Sequence, residues 1–160
     1  MRRLAAALFV ALTGCGQSSE TPTAAQEAPA AVLHVENGWA APTPGGVDVS
    51  AGYLTLVNDS ANADHLLSAS SPRAERVEVH EMTMEGGVMQ MRAVERLAIG
   101  PGQSIELAPN GRHLMFYGVT QPFAAGETIL VRLTFEHAGA IDVSLPVRRL
   151  GASAAAHNRH

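Results

Sequence analysis

His80, Met82, Met84, Met89, Met91, His113 and Met115 crowd one stretch of a 160-residue chain that has only six methionines and seven histidines in all. A thioether is a soft, neutral sulfur donor and imidazole is a borderline nitrogen donor. Together they suit a soft metal ion, Cu(I) above all. Four of these residues stand at a set spacing. Ten residues separate His80 from Met91, twenty-one separate Met91 from His113, and one separates His113 from Met115. Methionine also fills irregular core gaps with no metal involved, and packing is the better reading of any one methionine taken singly. Packing does not explain why histidines bracket the set or why the spacing takes this form. His80, Met91, His113 and Met115 are therefore the expected ligands. Met82, Met84 and Met89 are expected beside them, with Met89 the first choice as an accessory donor.

The spacing H-x10-M-x21-H-x-M closely resembles the signature of the PCu(A)C family of periplasmic copper chaperones. The resemblance extends over residues 32–148, including A-G-Y-L-T-L-V-N, N-G-R-H-L-M and L-T-F-E-H-A-G-A-I-D-V. It implies a cupredoxin-like Greek-key β-sandwich or barrel that binds Cu(I). It also implies delivery of copper to the CuA-bearing subunit of cytochrome c oxidase, in cooperation with a Sco-type thiol protein. Some family members carry methionine directly after the first histidine, where this chain has Glu81.

The elements that must position these residues read as strands. Apolar or alternating runs fall near 32–40, 50–58, 64–70, 75–82, 88–95, 103–107, 113–119, 127–136 and 140–148. Gly/Pro/Asn turn clusters separate them, among them Glu85-Gly86-Gly87 and Pro109-Asn110-Gly111. No long segment has helical periodicity bounded by caps. Many short strands between tight turns predict an all-β sandwich or barrel. Side chains at i and i+2 share a strand face, which pairs His80 with Met82, Met89 with Met91, and His113 with Met115. A hairpin at Gly86-Gly87 would fold the first two pairs together with Met84 near its tip. A later strand must then bring His113 and Met115 alongside.

The ends carry different information. Residues 1–14 open with two arginines and a short apolar run, which reads as a secretory signal too short to span a membrane. Leu12-Thr13-Gly14-Cys15 resembles a bacterial lipobox, so Cys15 is the expected lipidation site and the membrane anchor. Residues 15–30 lack large apolar side chains and read as a lipid-anchored flexible linker. As a loose coil it would span on the order of 20 Å. Residues 31–150 form the expected copper-binding domain, and 151–160 a disordered tail with His157 and His160. Those two histidines are candidate Cu(II) donors. The expected location is the periplasm, membrane-anchored, as a monomer.

Composition limits the alternatives. The formal charge is −4, and without Arg2 and Arg3 nine arginines face 15 acids, about −6. With no lysine and no basic cluster, nucleic acid is not an expected partner. A blue-copper electron carrier needs a cysteine thiolate in its site, and Cys15, the only cysteine, lies outside the domain. No nucleophile–base or carboxylate pair has a recognisable catalytic context, so an enzyme is not expected. Copper sequestration for tolerance stays open beside delivery. His34, His65 and His137 stand alone and read as solvated or hydrogen-bonded histidines.

Overall fold

Thr128 to Phe135 alternates without a break, turning Ile129, Val131, Leu133 and Phe135 inward and the residues between them outward. This period of two is the mark of a strand with one buried face. The computed structural model describes residues 33–149. It is all-β, with ten strands and no helix among the described residues. They are β1 (Leu33–Ala40), β2 (Val49–Asn58), β3 (Asp64–Ser70), β4 (Ala74–Glu85), β5 (Val88–Ala93), β6 (Leu97–Ile99), β7 (Ser104–Leu107), β8 (His113–Val119), β9 (Thr128–Phe135) and β10 (Ala140–Pro146). Nine of these match the expected runs. The strand not anticipated is β6, three residues long and paired antiparallel to β3, too short to show alternation. The expected signal, linker and tail, with Cys15, His157 and His160, lie outside the described residues.

The strands form one sheet in the order β1-β2-β8-β4-β3-β9-β10, with β5, β6 and β7 added on β4, β3 and β2. Strand β8 enters between β2 and β4, far from its neighbours in sequence, giving the crossed connections of a cupredoxin-like Greek key. Edge strands β1 and β10 approach each other, and Ala40 bridges Val147, so the sheet curls nearly closed. The interior is filled by Leu54, Leu56, Leu107, Leu114, Phe116, Ile129, Leu133 and Leu145, all at most 2 % exposed. Each such side chain contributes about 1.5–3 kcal/mol by leaving water.

Two turns position the candidate ligands. Glu85 pairs with Val88, leaving Gly86 and Gly87 as a two-residue hairpin loop with φ of 60° and 79°. Positive φ at both central residues defines the type I′ turn, whose twist matches that of its strands. Before β8, the Gly111 N–H donates to Ala108 O at 3.1 Å across Pro109 and Asn110, and Asn110 has φ of 66°. Proline followed by a positive-φ asparagine suits a type II turn. It delivers the chain to His113 with the Gly111 carbonyl facing back toward β4.

Candidate metal centre

Strand β4 sends Val77 and Val79 into the core. Alternation then places Glu78, His80, Met82 and Met84 on its outer face. Strand β8 buries Leu114 and Phe116 and gives His113, Met115 and Tyr117 to the same outer face. The antiparallel register sets His80 opposite His113 and Glu78 opposite Met115. On the other side of β4, Met82 stands opposite Met91 and Met84 opposite Met89. One face of three neighbouring strands thus holds both histidines and all five methionines of the segment.

The positions are graded along that face. The two imidazoles share a rung, with ring centroids 6.1 Å apart. Met115 and Met91 occupy opposite diagonals of His80, each backbone about 7–8 Å from it. Met82 is two residues along β4 from His80, and Met84 and Met89 form the methionine rung nearest the hairpin turn, one pair before Glu85–Val88. By register, Met82 stands closer to His80 than Met89 does.

Burial divides the set. His80 and His113 are 8 % and 5 % exposed, whereas Met91, Met89 and Met84 are 45 %, 54 % and 66 % exposed. The imidazoles are sunk among aromatic neighbours, with Tyr117 at 5.9 Å from His80 and Tyr53 at 6.5 Å from His113, centroid to centroid.

Each ring is held by one nitrogen only. His80 Nε2 lies 2.9 Å from Glu78 Oε2, and Tyr117 Oη lies 3.4 Å from the same nitrogen. Glu78 Oε1 also forms an ion pair with Arg76 Nε at 2.8 Å, and Arg76 lies over the Tyr117 ring. The His80 hydrogen bond, joined by the Arg76 charge, holds the Glu78 carboxyl below the usual carboxylate range against the opposing effect of burial. An ionised carboxylate only accepts, so the neutral His80 tautomer carries its proton on Nε2. Its Nδ1 is buried without a hydrogen-bond partner. At His113 it is Nδ1 that lies 3.1 Å from the Gly111 carbonyl. A carbonyl also only accepts, which leaves Nε2 with the lone pair. An orphaned buried nitrogen is costly, and a metal ion would satisfy it.

Glu78, Tyr117 and Gly111 were not singled out from the sequence. The usable signal was parity, since Glu78 lies two residues before His80 and Tyr117 four after His113, on the same faces. Among the described residues, no three His, Cys, Asp or Glu side chains converge as a metal site would require. The other donors on this face are the thioethers of Met82, Met91 and Met115.

The lone histidines are engaged elsewhere. His34 contacts Glu36 at 3.1 Å and Asp59 at 3.3 Å. His65 contacts Glu136 at 2.8 Å, and His137 is 67 % exposed at 3.9 Å from the same carboxylate.

The family model "Putative lipoprotein LpqE-like" matches residues 33–147. The chain belongs to the LpqE-like family. This LpqE-like chain is 28 % identical over 148 residues to "Putative lipoprotein Lxx21020" of Leifsonia xyli subsp. xyli, covering 89 % of its own length and 86 % of that relative. Its fold is similar to the copper-bound PCuAC domain from PmoF2, with a TM-score of 0.64 at 19 % identity over 74 % of this chain and 93 % of that one. The solution structure of CuI-DR1885 from Deinococcus radiodurans is similar at a TM-score of 0.58 and 28 % identity, over 79 % of this chain and 83 % of that one. The resemblance to PCu(A)C domains drawn from the spacing is thus matched by the fold of the LpqE-like chain.

Proposed function

We propose that this protein is a Cu(I) carrier whose inner ligands are His80 Nδ1, His113 Nε2, Met91 and Met115. The observation that carries this reading is the buried, unpartnered Nδ1 of His80, on the rung that also holds His113, with thioethers on both diagonals. Neutral sulfur donors favour Cu(I) over Cu(II). They also remain serviceable in an oxidising compartment, where a thiolate pair would close to a disulfide. The copper named in the structures of PmoF2 and CuI-DR1885 supports the same cargo.

The chain's own residues perform the carrier chemistry. In the neutral form of each ring, Glu78 and the Gly111 carbonyl hold the proton on the nitrogen turned away from the ion. Exposed Met91 offers the side from which a partner's ligand could replace it. Delivery to the CuA-bearing subunit of cytochrome c oxidase, aided by a Sco-type thiol protein, is the proposed use. Lipid anchoring through Cys15 on the periplasmic side is the proposed location. A carrier without a catalytic step accounts for the face.

Titration of the protein against a competing Cu(I) chelator tests the ligand set. Met91→Ala and His113→Ala should each weaken Cu(I) binding at least tenfold while the fold survives, because Met91 is exposed and His113, though buried, is not part of the apolar core cluster. Unchanged affinity in both variants rejects the assignment. Gene deletion followed by an oxidase assay at limiting copper separates delivery from sequestration.

A further inference from the structure

The β4–β5 hairpin has two chemically distinct faces. Glu81, Thr83, Glu85, Val88, Gln90 and Arg92 occupy one, tied by Arg92–Glu85 at 3.0 Å and by Arg112–Glu81 at 2.6 Å. The other carries Met82 opposite Met91 and Met84 opposite Met89, two adjacent rungs made of thioethers alone. Strand β8 pairs with β4 only as far as His80, through His113, so these rungs project beyond it. Packing does not explain the methionines, since Met84, Met89 and Met91 remain about half exposed or more. Strand propensity does not explain them either, because β-branched and aromatic residues suit an exposed hairpin better. Directly opposed side chains in a hairpin have Cβ atoms about 4.5–5.5 Å apart, and methionine has three flexible torsions with which to close the remaining gap.

We propose that Met82, Met84, Met89 and Met91 form a second, outer Cu(I) site, weaker than the histidine-containing set, from which the ion passes inward through Met91. The proposal rests on the reading of the chain as a Cu(I) carrier. Met91 belongs to both sets: it faces Met82 across the hairpin and lies on the diagonal of His80. Transfer is ligand exchange at constant oxidation state. Each new Cu–N or Cu–S bond replaces an outer Cu–S bond, and no electron moves. No proton moves either, because His80 Nδ1 and His113 Nε2 already present lone pairs. The outer site is accessible and built only of neutral thioethers. The inner one has two buried imidazoles, so the gradient runs inward.

The test uses the full chain with methyl-13C methionine, titrated anaerobically with Cu(I) and followed by NMR. A second sample carries Met84→Leu and Met89→Leu, which remove sulfur and keep apolar volume. In the unaltered chain, the first equivalent should shift the Met91 and Met115 methyls and the second should shift Met84 and Met89. The double variant should lose the weaker equivalent, keep the stronger affinity within about twofold, and load several-fold more slowly from a Cu(I)–chelator complex. Met84 and Met89 methyls that stay still through two equivalents overturn the outer site. So do shifts that follow protein concentration without copper, which would mark the face as a contact between copies. If His113→Ala leaves the first equivalent untouched while Met84 and Met89 respond, the histidine-containing set fails and the outer site stands.

Discussion

His80 and His113 face each other across β4 and β8 but are anchored through opposite ring nitrogens, Nε2 on the Glu78 carboxylate and Nδ1 on the Gly111 carbonyl. The asymmetry has a geometric origin. His113 is the first residue of its strand, and the carbonyl of the preceding turn lies within reach of its near nitrogen. His80 is inside β4, where backbone carbonyls are committed to the ladder, so its far nitrogen takes a side-chain partner. Each arrangement leaves one lone pair free, which is the state a neutral metal-binding imidazole must adopt.

Glu78 should therefore act as a positioning residue. Glu78→Ala removes the acceptor that fixes the His80 tautomer, and Cu(I) affinity should fall about tenfold, the lower end for loss of such a partner. Ring 15N shifts of His80 without metal should change from a single Nε2–H form to a mixture of tautomers. Glu78→Gln keeps an acceptor oxygen and should restore both. An unaltered nitrogen pattern in Glu78→Ala would show that Glu78 does not set the tautomer.

The type I′ turn should control the order of the thioether face independently of the core. Replacing both Gly86 and Gly87 with alanine forces two L-residues into left-handed backbone, at about 1–2 kcal/mol each. The hairpin is joined to the rest of the molecule mainly along β4, so the cost should appear as fraying of Met82–Met91. Amide exchange there should accelerate while Leu114, Phe116 and Val131 keep their protection. Uniform loss of protection across the sheet would contradict this separation.

Much of this face was legible from spacing alone. The i, i+2 parity of His80–Met82, Met89–Met91 and His113–Met115, with a glycine pair between the first two, is enough to place them on one side of a hairpin and one later strand. Strand β6 was not legible, because Leu97–Ile99 spans one alternation and draws its stability from pairing with β3. Burial of the histidines was not legible either. Their flanking tyrosines come from β2 and β8, so the cover exists only once β8 enters between β2 and β4. The free nitrogen of His80 required the same step, since parity can put Glu78 beside His80 but cannot choose which nitrogen it meets.

Asp64 should make the fold sensitive to acid. Burial alone would push its carboxyl up, but N–H groups of His137, His65 and Ala138 at 3.0, 2.7 and 2.8 Å, with the His137 charge, bring it below its ordinary value. A carboxyl depressed in the folded state contributes stability above its unfolded value, near pH 4, and that contribution disappears as pH falls through the folded value. Asp64→Ala should cost about 1–3 kcal/mol at pH 7 by leaving three part-buried N–H groups without their acceptor. The difference from the unaltered chain should shrink below about pH 4. Urea unfolding at pH 7 and pH 3 measures this, and a difference equal at both values would exclude the carboxylate as the cause.

The LpqE-like family model carries the description "Putative lipoprotein", and an anchor at Leu12-Thr13-Gly14-Cys15 would have a physical consequence for handover. A lipidated Cys15 followed by a 15-residue linker would hold the copper face within tens of ångströms of the membrane. A membrane-embedded acceptor would then meet a locally concentrated donor, as in any tethered binding event. One acyl chain gives only reversible attachment, so stable anchoring requires the several chains of a bacterial lipoprotein. Cys15→Ser should release the protein from the membrane fraction without changing its Cu(I) affinity, because Cys15 is outside the ligand set. Copper delivery to the acceptor should slow in the released form and recover when its concentration is raised. If the unaltered chain and the variant both fractionate as soluble, the anchor reading is wrong, while the His80–His113 face keeps its chemistry.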